Sequence, residues 1–138
     1  MIYQREIRVA AAGHGDVKDI TGEIGHLVVA SGIQTGIAHV FVTGSTAAIV
    51  TIEHEPGLLR DLPEMLDRLV PPSRSYGHEQ AWHDGNGHSH LQATTLGQSL
   101  SLPISRGGPA LGAWQQVVLV ECDTRARERT VVITVIGE

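Results

Sequence analysis

The chain has 138 residues, of which 41% are hydrophobic and 18% are charged, and its formal net charge is −5. This length suits one domain, and the composition is too apolar for a disordered chain. The acidic balance argues against nucleic-acid binding, which needs a concentrated basic surface. The single cysteine, Cys122, excludes an internal disulfide framework and fits a reducing compartment.

No segment has the character of a membrane span or a secretion signal. No apolar run reaches the roughly 18 residues that a membrane-spanning helix needs. Residues 1–6 do not form the apolar centre of a signal peptide. We therefore expect a cytoplasmic protein with no membrane partner.

In the first half of the chain, predicted strands and a predicted helix alternate. Alternating polarity over 2–10 predicts a strand. Apolar residues recur at helical spacing over 20–28, and Gly32 stands where this helix would end. Strands are predicted at 38–42 and 47–52, and the second is apolar enough to be buried on both faces.

The second half is richer in strands. Leucines at helical spacing predict a second helix over 58–69, in which Pro63 is tolerated if Asp61 caps a new first turn. A short helix is predicted at 91–96. Further strands are predicted at 99–104, 116–121 and 130–136. About seven strands and two or three helices favour a compact, β-rich α+β fold, with residues 1–138 forming a single domain.

The segment 78–90 holds four of the chain's eight histidines. Imidazole is the commonest side-chain metal ligand, so His78, His88 and His90 are candidate ligands of a divalent metal such as zinc. On extended backbone the rings of His88 and His90 would face the same side, whereas within a helix they would point apart. The spacing leaves both geometries open. The alternative to a metal site is a solvated loop whose histidines bond to the backbone.

Two carboxylates are candidate catalytic groups. Asp84 lies within the histidine segment, where it would bind a metal or orient a ring nitrogen, or where it forms an Asp-Gly turn. Glu53 directly follows the apolar strand predicted at 47–52, where a solvated strand end is the commoner outcome. In a reaction, either carboxylate would position a proton or a metal-bound water.

Hydroxyl groups and an arginine are candidate substrate-binding groups. Ser45 and Thr46 lie in a polar loop whose hydroxyl and N–H groups can form an anion-binding concavity, although the loop is not a P-loop. The guanidinium of Arg60 suits a phosphate, and its alternative is a surface ion pair with Asp61.

Polar and aromatic residues also flank the strand predicted at 116–121. Trp114 and Gln115 precede it, and a tryptophan there is expected to pack in the core or to stack on a flat ring. Glu121 ends an apolar run, where burying a carboxylate is costly unless it is paired. Its expected partner is a histidine or a group across a subunit interface.

Together these segments resemble the YjbQ-like family, known as the secondary thiamine-phosphate synthase family. The matching segments occur in the same order as in the family and span nearly the whole chain. The matching segments are 40–42, 45–48, 51–53, 60–62, 67–71, 76–78, 84–91, 96–97, 111–115 and 131–137. Many members have His-Thr-Ser where this chain has Thr43-Gly44-Ser45, so a family role for that histidine is absent here.

The resemblance implies a homotrimer with the histidine sites close to subunit boundaries. It implies a transferase that joins hydroxymethylpyrimidine diphosphate to thiazole phosphate and releases pyrophosphate. It also places Asn86 in the family's polar cluster, and it makes Glu53, Trp114 and Gln115 recurrent family positions. Two alternatives remain: a metal-dependent hydrolase of a phosphorylated small molecule, and a non-catalytic trimer that binds a small ligand or metal.

Overall fold

Eight strands and four helices lie within residues 1–72 and 74–138, which the computed structural model describes. The strands are β1 (Ile2–Ala11), β2 (Val17–Asp19), β3 (Thr35–Thr43), β4 (Ala47–Ile52), β5 (Ser99–Ser105), β6 (Gly108–Pro109), β7 (Gln116–Glu121) and β8 (Arg127–Gly137). The helices are α1 (Thr21–Ser31), α2 (Pro56–Leu69), α3 (Gly77–Trp82) and α4 (Gly87–Leu96). None of these helices is both long and apolar enough to cross a membrane.

The α+β class is confirmed, with more helix than the sequence predicted. The segment 78–90, predicted only as a polar stretch, holds most of α3 and the start of α4. Both helices lack the apolar periodicity by which an amphipathic helix is recognised in a sequence. Residues of α3 line the site, and the buried residues of α4 include the polar His88, Ser89 and Gln92, so neither helix shows a clear apolar stripe. The end of α4 lies in the helix predicted at 91–96.

The strands form two antiparallel sheets. Sheet A has the order β1-β8-β3-β5-β6, and sheet B has the order β2-β7-β4. One face of sheet B packs against sheet A and α1, through residues such as Ile49 and Leu119. Its other face packs against α2 and α4, through residues such as Ala48 and Val118. Sheet B is therefore a central layer, which explains the continuous apolar runs of β4 and β7.

Helix α2 begins earlier than predicted and continues through Pro63. The carboxylate of Glu55 caps it, because it accepts hydrogen bonds from the N–H groups of Gly57 at 2.7 Å and Leu58 at 2.9 Å. These N–H groups hold the pKa of Glu55 below its ordinary value. Pro63 lies inside the helix, so the expectation that Asp61 caps a new first turn is wrong.

The chain reverses at two glycines, and the predicted end of the first helix at Gly32 is confirmed. Gly32 ends α1 in the left-handed conformation, with φ of 74°. Arg106 and Gly107 connect β5 to β6 with φ values of 52° and 75°, which is the backbone that a tight hairpin turn requires.

Adjacent valines on α1 test the packing of the main core. Val28 is fully buried, whereas Val29 is 70% exposed. Both changes to alanine alter helix propensity equally, so their difference reports burial alone. We expect Val28→Ala to lower the free energy of unfolding by about 1–3 kcal/mol more than Val29→Ala does. Equal values in urea denaturation would contradict this core assignment.

Candidate functional site

A pocket of about 470 Å³ opens at the end of sheet B where β4 begins and β7 ends. The register explains which segments meet there. Ala47 pairs with Glu121 in sheet B, and Thr43 pairs with Thr130 in sheet A, so the β3–β4 loop lies beside the start of β8. The lining residues are Gly44, Ser45, Thr46, His78, Trp82, Asp84, Asn86, His90, Asp123, Arg127 and Arg129.

His78, at the start of α3, is held between a carboxylate and an amide. Its Nε2 lies 3.1 Å from Asp84 Oδ1. With the amide nitrogen of Asn86 turned toward this pair, that nitrogen lies 2.8 Å from Asp84 Oδ1 and 2.9 Å from His78 Nε2. A protonated Nε2 donates to Asp84, and an unprotonated Nε2 accepts from Asn86. The ring is thus satisfied in both protonation states, as a group that moves a proton should be.

His90 adds a second imidazole to the same pocket. It lies in the first turns of α4, and its ring centroid is 4.5 Å from that of His78, with 50° between the ring planes. The two imidazoles therefore lie side by side in the pocket.

His88 faces away from this pair. Residues 87–96 are helical, so the rings of His88 and His90 point apart. This is the helical geometry that the sequence left open beside the extended one. His88 is 4% exposed and contacts the ring of His14 edge-on, with 5.4 Å between centroids. Burial, followed by the charge of His14, lowers the pKa of His88. His88 is therefore a buried, neutral imidazole that packs inside the chain and lies outside the pocket.

His14, which contacts His88, is held through both of its ring nitrogens. Its Nδ1 lies 3.1 Å from the carbonyl oxygen of Cys122, and its Nε2 lies 2.8 Å from Asp67 Oδ1. Gln92 also donates to Asp67 Oδ1, at 2.9 Å.

Burial raises the pKa of the Cys122 thiol to about 12, so this thiol is a core group and no nucleophile at neutral pH.

The divalent metal expected from the sequence has no ready set of ligands in a single chain. Among residues 1–72 and 74–138, no group of three His, Cys, Asp or Glu side chains has an arrangement that could hold a metal ion. The proposed trio of His78, His88 and His90 is divided, and Nε2 of His78 is already engaged by Asp84 and Asn86. The metal expectation stays a prediction, which elemental analysis of the purified protein checks.

Arg129 forms the floor of the pocket and was not predicted as a site residue. It is only 7% exposed. Its Nε donates to Glu121 Oε1 at 2.8 Å, its Nη2 donates to Glu121 Oε2, and Nη2 also donates to the hydroxyl of Thr46 at 2.7 Å. The partner of the buried Glu121 is therefore an arginine of the same chain, neither a histidine nor a group across an interface.

Asp123 and Arg127 form a second ion pair beside the first. Arg127 donates to Asp123 Oδ2 from Nε at 3.0 Å and approaches it from Nη2 at 2.8 Å. The hydroxyl of Thr46 also donates to Asp123 Oδ2, at 3.0 Å. Burial alone would raise the pKa of Asp123, but hydrogen bonds from the Thr124 N–H, Arg127 and Thr46 lower it to about 2. Each guanidinium is thus paired with a carboxylate, Arg129 with Glu121 and Arg127 with Asp123.

Besides His88, four expected site residues lie outside this pocket: Glu53, Arg60, Trp114 and Gln115. Glu53 follows β4 and Gln115 precedes β7, at the opposite end of both strands. The length of β4, about 20 Å, separates them from the pocket. Trp114 is 75% exposed, so the expected core packing is wrong. Arg60 is exposed on α2.

The carboxylate of Glu79 holds the segment that carries His78, Asp84 and Asn86. Glu79 Oε2 accepts from the N–H of Tyr76 at 2.9 Å, and Oε1 accepts from the N–H of Gly87 at 2.6 Å. A Cβ at position 87 would lie 2.7 Å from Oε1, so only glycine admits this contact. Glu79 therefore joins the start of α3 to the start of α4.

The link made by Glu79 should depend on pH. The hydrogen bond from Gly87 holds the pKa of Glu79 below its ordinary value of 4.5, so the stabilisation is present above that value and is lost as pH falls through the lowered pKa. We expect Glu79→Gln to unfold more easily than wild type at neutral pH, and the difference to shrink in acid. Glu6→Gln, an exposed change on β1, is the control. A difference that is constant between about pH 6 and about pH 3 would refute the link.

Comparison with known proteins agrees with the resemblance seen in the sequence. A family model described as UPF0047 protein YjbQ-like matches residues 5–138. A UPF0047 protein of Methanothermobacter thermautotrophicus is 36% identical over 137 residues, which cover 99% of this chain and 94% of that protein. The UPF0047 protein YjbQ of Salmonella typhimurium is 28% identical, with 100% of both chains covered.

Solved structures of similar proteins have the same fold. A YbjQ-like protein of unknown function from Sulfolobus solfataricus superposes with a TM-score of 0.93 at 39% identity, covering 100% of this chain and 99% of that one. A hypothetical protein from Aeropyrum pernix has a TM-score of 0.90 at 33% identity, covering 99% of each chain. Matches of this extent in sequence and in structure lead to one conclusion: the chain belongs to the UPF0047 family of YjbQ-like proteins.

Proposed function

We propose that this protein is an enzyme of the thiamine-phosphate synthase type, acting in the pocket at the end of sheet B. The thiazole nitrogen forms a bond to the methylene carbon of hydroxymethylpyrimidine diphosphate. The bond from that carbon to the diphosphate oxygen breaks, and its electron pair leaves with pyrophosphate. The observation that carries the proposal is the pair of histidines facing two arginines across one pocket.

This reaction places negative charge on the departing diphosphate, and the enzyme has to stabilise that charge. Groups that donate hydrogen bonds where this charge develops lower the barrier. Arg127 and Arg129 supply guanidinium donors, and Ser45 supplies a hydroxyl from the β3–β4 loop. Thr46 holds the two arginine–carboxylate pairs in place, since its hydroxyl accepts from Arg129 and donates to Asp123.

The histidines supply the proton that the diphosphate gains. His78 is oriented by Asp84 and Asn86, and the ring of His90 lies beside it. A positioned acid of this kind contributes a factor of about 10²–10⁴ to the rate. In this proposal Asp84 orients His78 and receives the hydrogen bond of its protonated form.

An exposed indole at the rim suits the pyrimidine ring. Trp82 ends α3, lines the pocket and is 72% exposed. A flat aromatic ring stacks favourably on indole. Within one chain, Trp82 thus takes the stacking role that the sequence assigned to Trp114.

The homotrimer belongs to the proposal as well. Glu53, Trp114 and Gln115 lie together at the end of sheet B remote from the pocket, and all three are exposed. A neighbouring subunit would bring them to a pocket that the histidines of another chain form. Arg60, exposed on α2, would reach the substrate in the same way.

Light scattering tests the assembly. At micromolar concentration we expect a mass about three times the 14.8 kDa of one chain. A monomer under these conditions would contradict the trimer. Trp114 would then have no neighbouring subunit whose pocket it could reach.

A hydrolase is the second candidate. The hydrogen-bonded pair of His78 and Asp84 resembles the base that activates water in many hydrolases, and the pocket would accept a phosphorylated small molecule in the same orientation. Free phosphate without a coupled product would favour this reaction. Ligand binding without turnover would favour the non-catalytic alternative.

Substitution of the histidines tests the enzyme directly. We expect His78→Ala and His90→Ala each to lower the turnover of the two phosphorylated precursors by about 100-fold or more, because the acid is lost. His26→Ala, an exposed change on α1, is the matched control and should keep wild-type turnover. Full activity in both pocket variants, measured as thiamine phosphate formed, would refute the mechanism.

A further inference from the structure

One face of sheet A is not covered by the rest of the chain. The inner face packs in the main core through alternate residues such as Val40 and Ile133. The residues between them, such as Phe41 and Val132, point to the opposite side, because side chains alternate along a strand. Helix α1 packs on the inner side, α2 and α4 pack on sheet B, and α3 packs against α4. Within residues 1–72 and 74–138, the outer face of sheet A is therefore open.

The centre of this outer face carries no charged residue. Its outward positions are the odd-numbered residues of β3 and β5 and the even-numbered residues from 130 to 136 in β8. These positions, all of which the structure describes, hold no Asp, Glu, Lys or Arg. A solvated surface is about 25–35% charged, so a face of this extent would be expected to carry several charges. Scarcity of charge is typical of the centre of a protein interface.

Exposed apolar side chains form a row across the same face. Ile136 pairs with Ile2 on one side and with Ile37 on the other, and Ile37 also pairs with Pro103. The three isoleucines are all exposed, and so is Phe41, which lies further along β3 on this face. The row crosses β1, β8, β3 and β5, so these apolar groups belong to one continuous surface.

We propose that copies of this chain associate through the outer face of sheet A. The inference rests on the proposed function only for the number of copies, and the pocket plays no part in it. Four strands of about eight residues give the face roughly 500 Å² in projection. Two such faces together supply about 1,000 Å², which is the area that a specific contact needs.

The distribution of charge favours a second copy as the occupant. Each chain has a formal net charge of −5, so two copies repel one another least where they meet at an uncharged surface. At the β1 edge of the face Arg8 and Glu128 lie 3.4 Å apart, so this rim carries both signs. An anionic membrane would instead attract a cluster of Lys and Arg. Flat sheet faces pack on one another about 10 Å apart, so two copies of this face suit each other in shape.

Light scattering on the full chain with a charge placed on the face tests the proposal. At micromolar concentration we expect wild type to have about three times the 14.8 kDa of one chain, and Phe41→Glu to have the mass of one chain. The reason is that the contact would bury an unpaired carboxylate in every copy. Val29→Glu is the matched control, since it places the same charge on an exposed residue of α1, and it should keep the wild-type mass.

Ser101→Lys is the second variant. Ser101 is exposed on β5 within the same face, so a lysine there leaves the core intact and removes only an exposed hydrogen bond to His39. We expect this variant also to have the mass of one chain, because the contact would bury its ammonium group. It decides the matter if Phe41→Glu does not fold. Wild-type mass in folded Ser101→Lys would overturn the proposed face.

The outcomes separate this face from the proposed function. A wild-type assembly that both variants leave intact would overturn the face and leave the trimer and the reaction standing. A monomeric wild type would reject a second copy as the occupant. A wild-type dimer that both variants split would support the face and reject the trimer. An assembly that the variants split, without turnover of the two phosphorylated precursors in wild type, would support the face and reject the proposed reaction.

Discussion

The ion pair between Glu121 and Arg129 links the two sheets and forms the floor of the site. Glu121 ends β7 in sheet B, and Arg129 lies near the start of β8 in sheet A. Both are buried, and the pair is bidentate. Removing either partner would leave an uncompensated charge in the interior, which costs about 3–5 kcal/mol. The pair thus ties the position of β8 to that of β7, with Thr46 bound to both ion pairs through one hydroxyl.

The half of the pocket that is built from strand ends depends on this ion pair. The histidines are placed by a different device, the carboxylate of Glu79 that joins α3 to α4. One half of the pocket is therefore built by sheet ends and the other half by two short helices. In the proposed function, arginines that are each paired with a carboxylate would hold an anion through oriented hydrogen-bond donors more than through net charge.

Much of the fold could be predicted because its strands carry strong patterns. Sheet B is buried on both faces, and its strands are continuous apolar runs. The turns at Gly32 and Gly107 were recognisable from glycine alone. The start of α2 was missed because its cap is Glu55, which is a less typical cap than serine or aspartate. Helix α3 and the start of α4 were not predicted because polar residues take the place of an apolar stripe there, whereas the end of α4 lies in the helix predicted at 91–96.

About half of the site was predictable, for a reason that lies in backbone geometry. Local clustering revealed the residues near His78, and the structure brings to one pocket His78, His90, Asp84, Asn86, Ser45 and Thr46. His88 was wrongly grouped with His78 and His90, because α4 begins at Gly87 and its helical backbone turns the rings of His88 and His90 apart. Arg129 was missed because β8 begins at Arg127, three residues before the predicted strand. Its place on the inward face of that strand, two residues before the buried Val131, was the signal that could have identified it.

The claim that this pocket receives an oxyanion can be tested by direct observation. A crystal soaked in tungstate, an oxyanion whose metal scatters anomalously, reports where such a group binds. The account predicts a tungsten peak within the pocket, beside Arg127 and Arg129. A peak elsewhere on the molecule, with this pocket unoccupied in every copy, would contradict it.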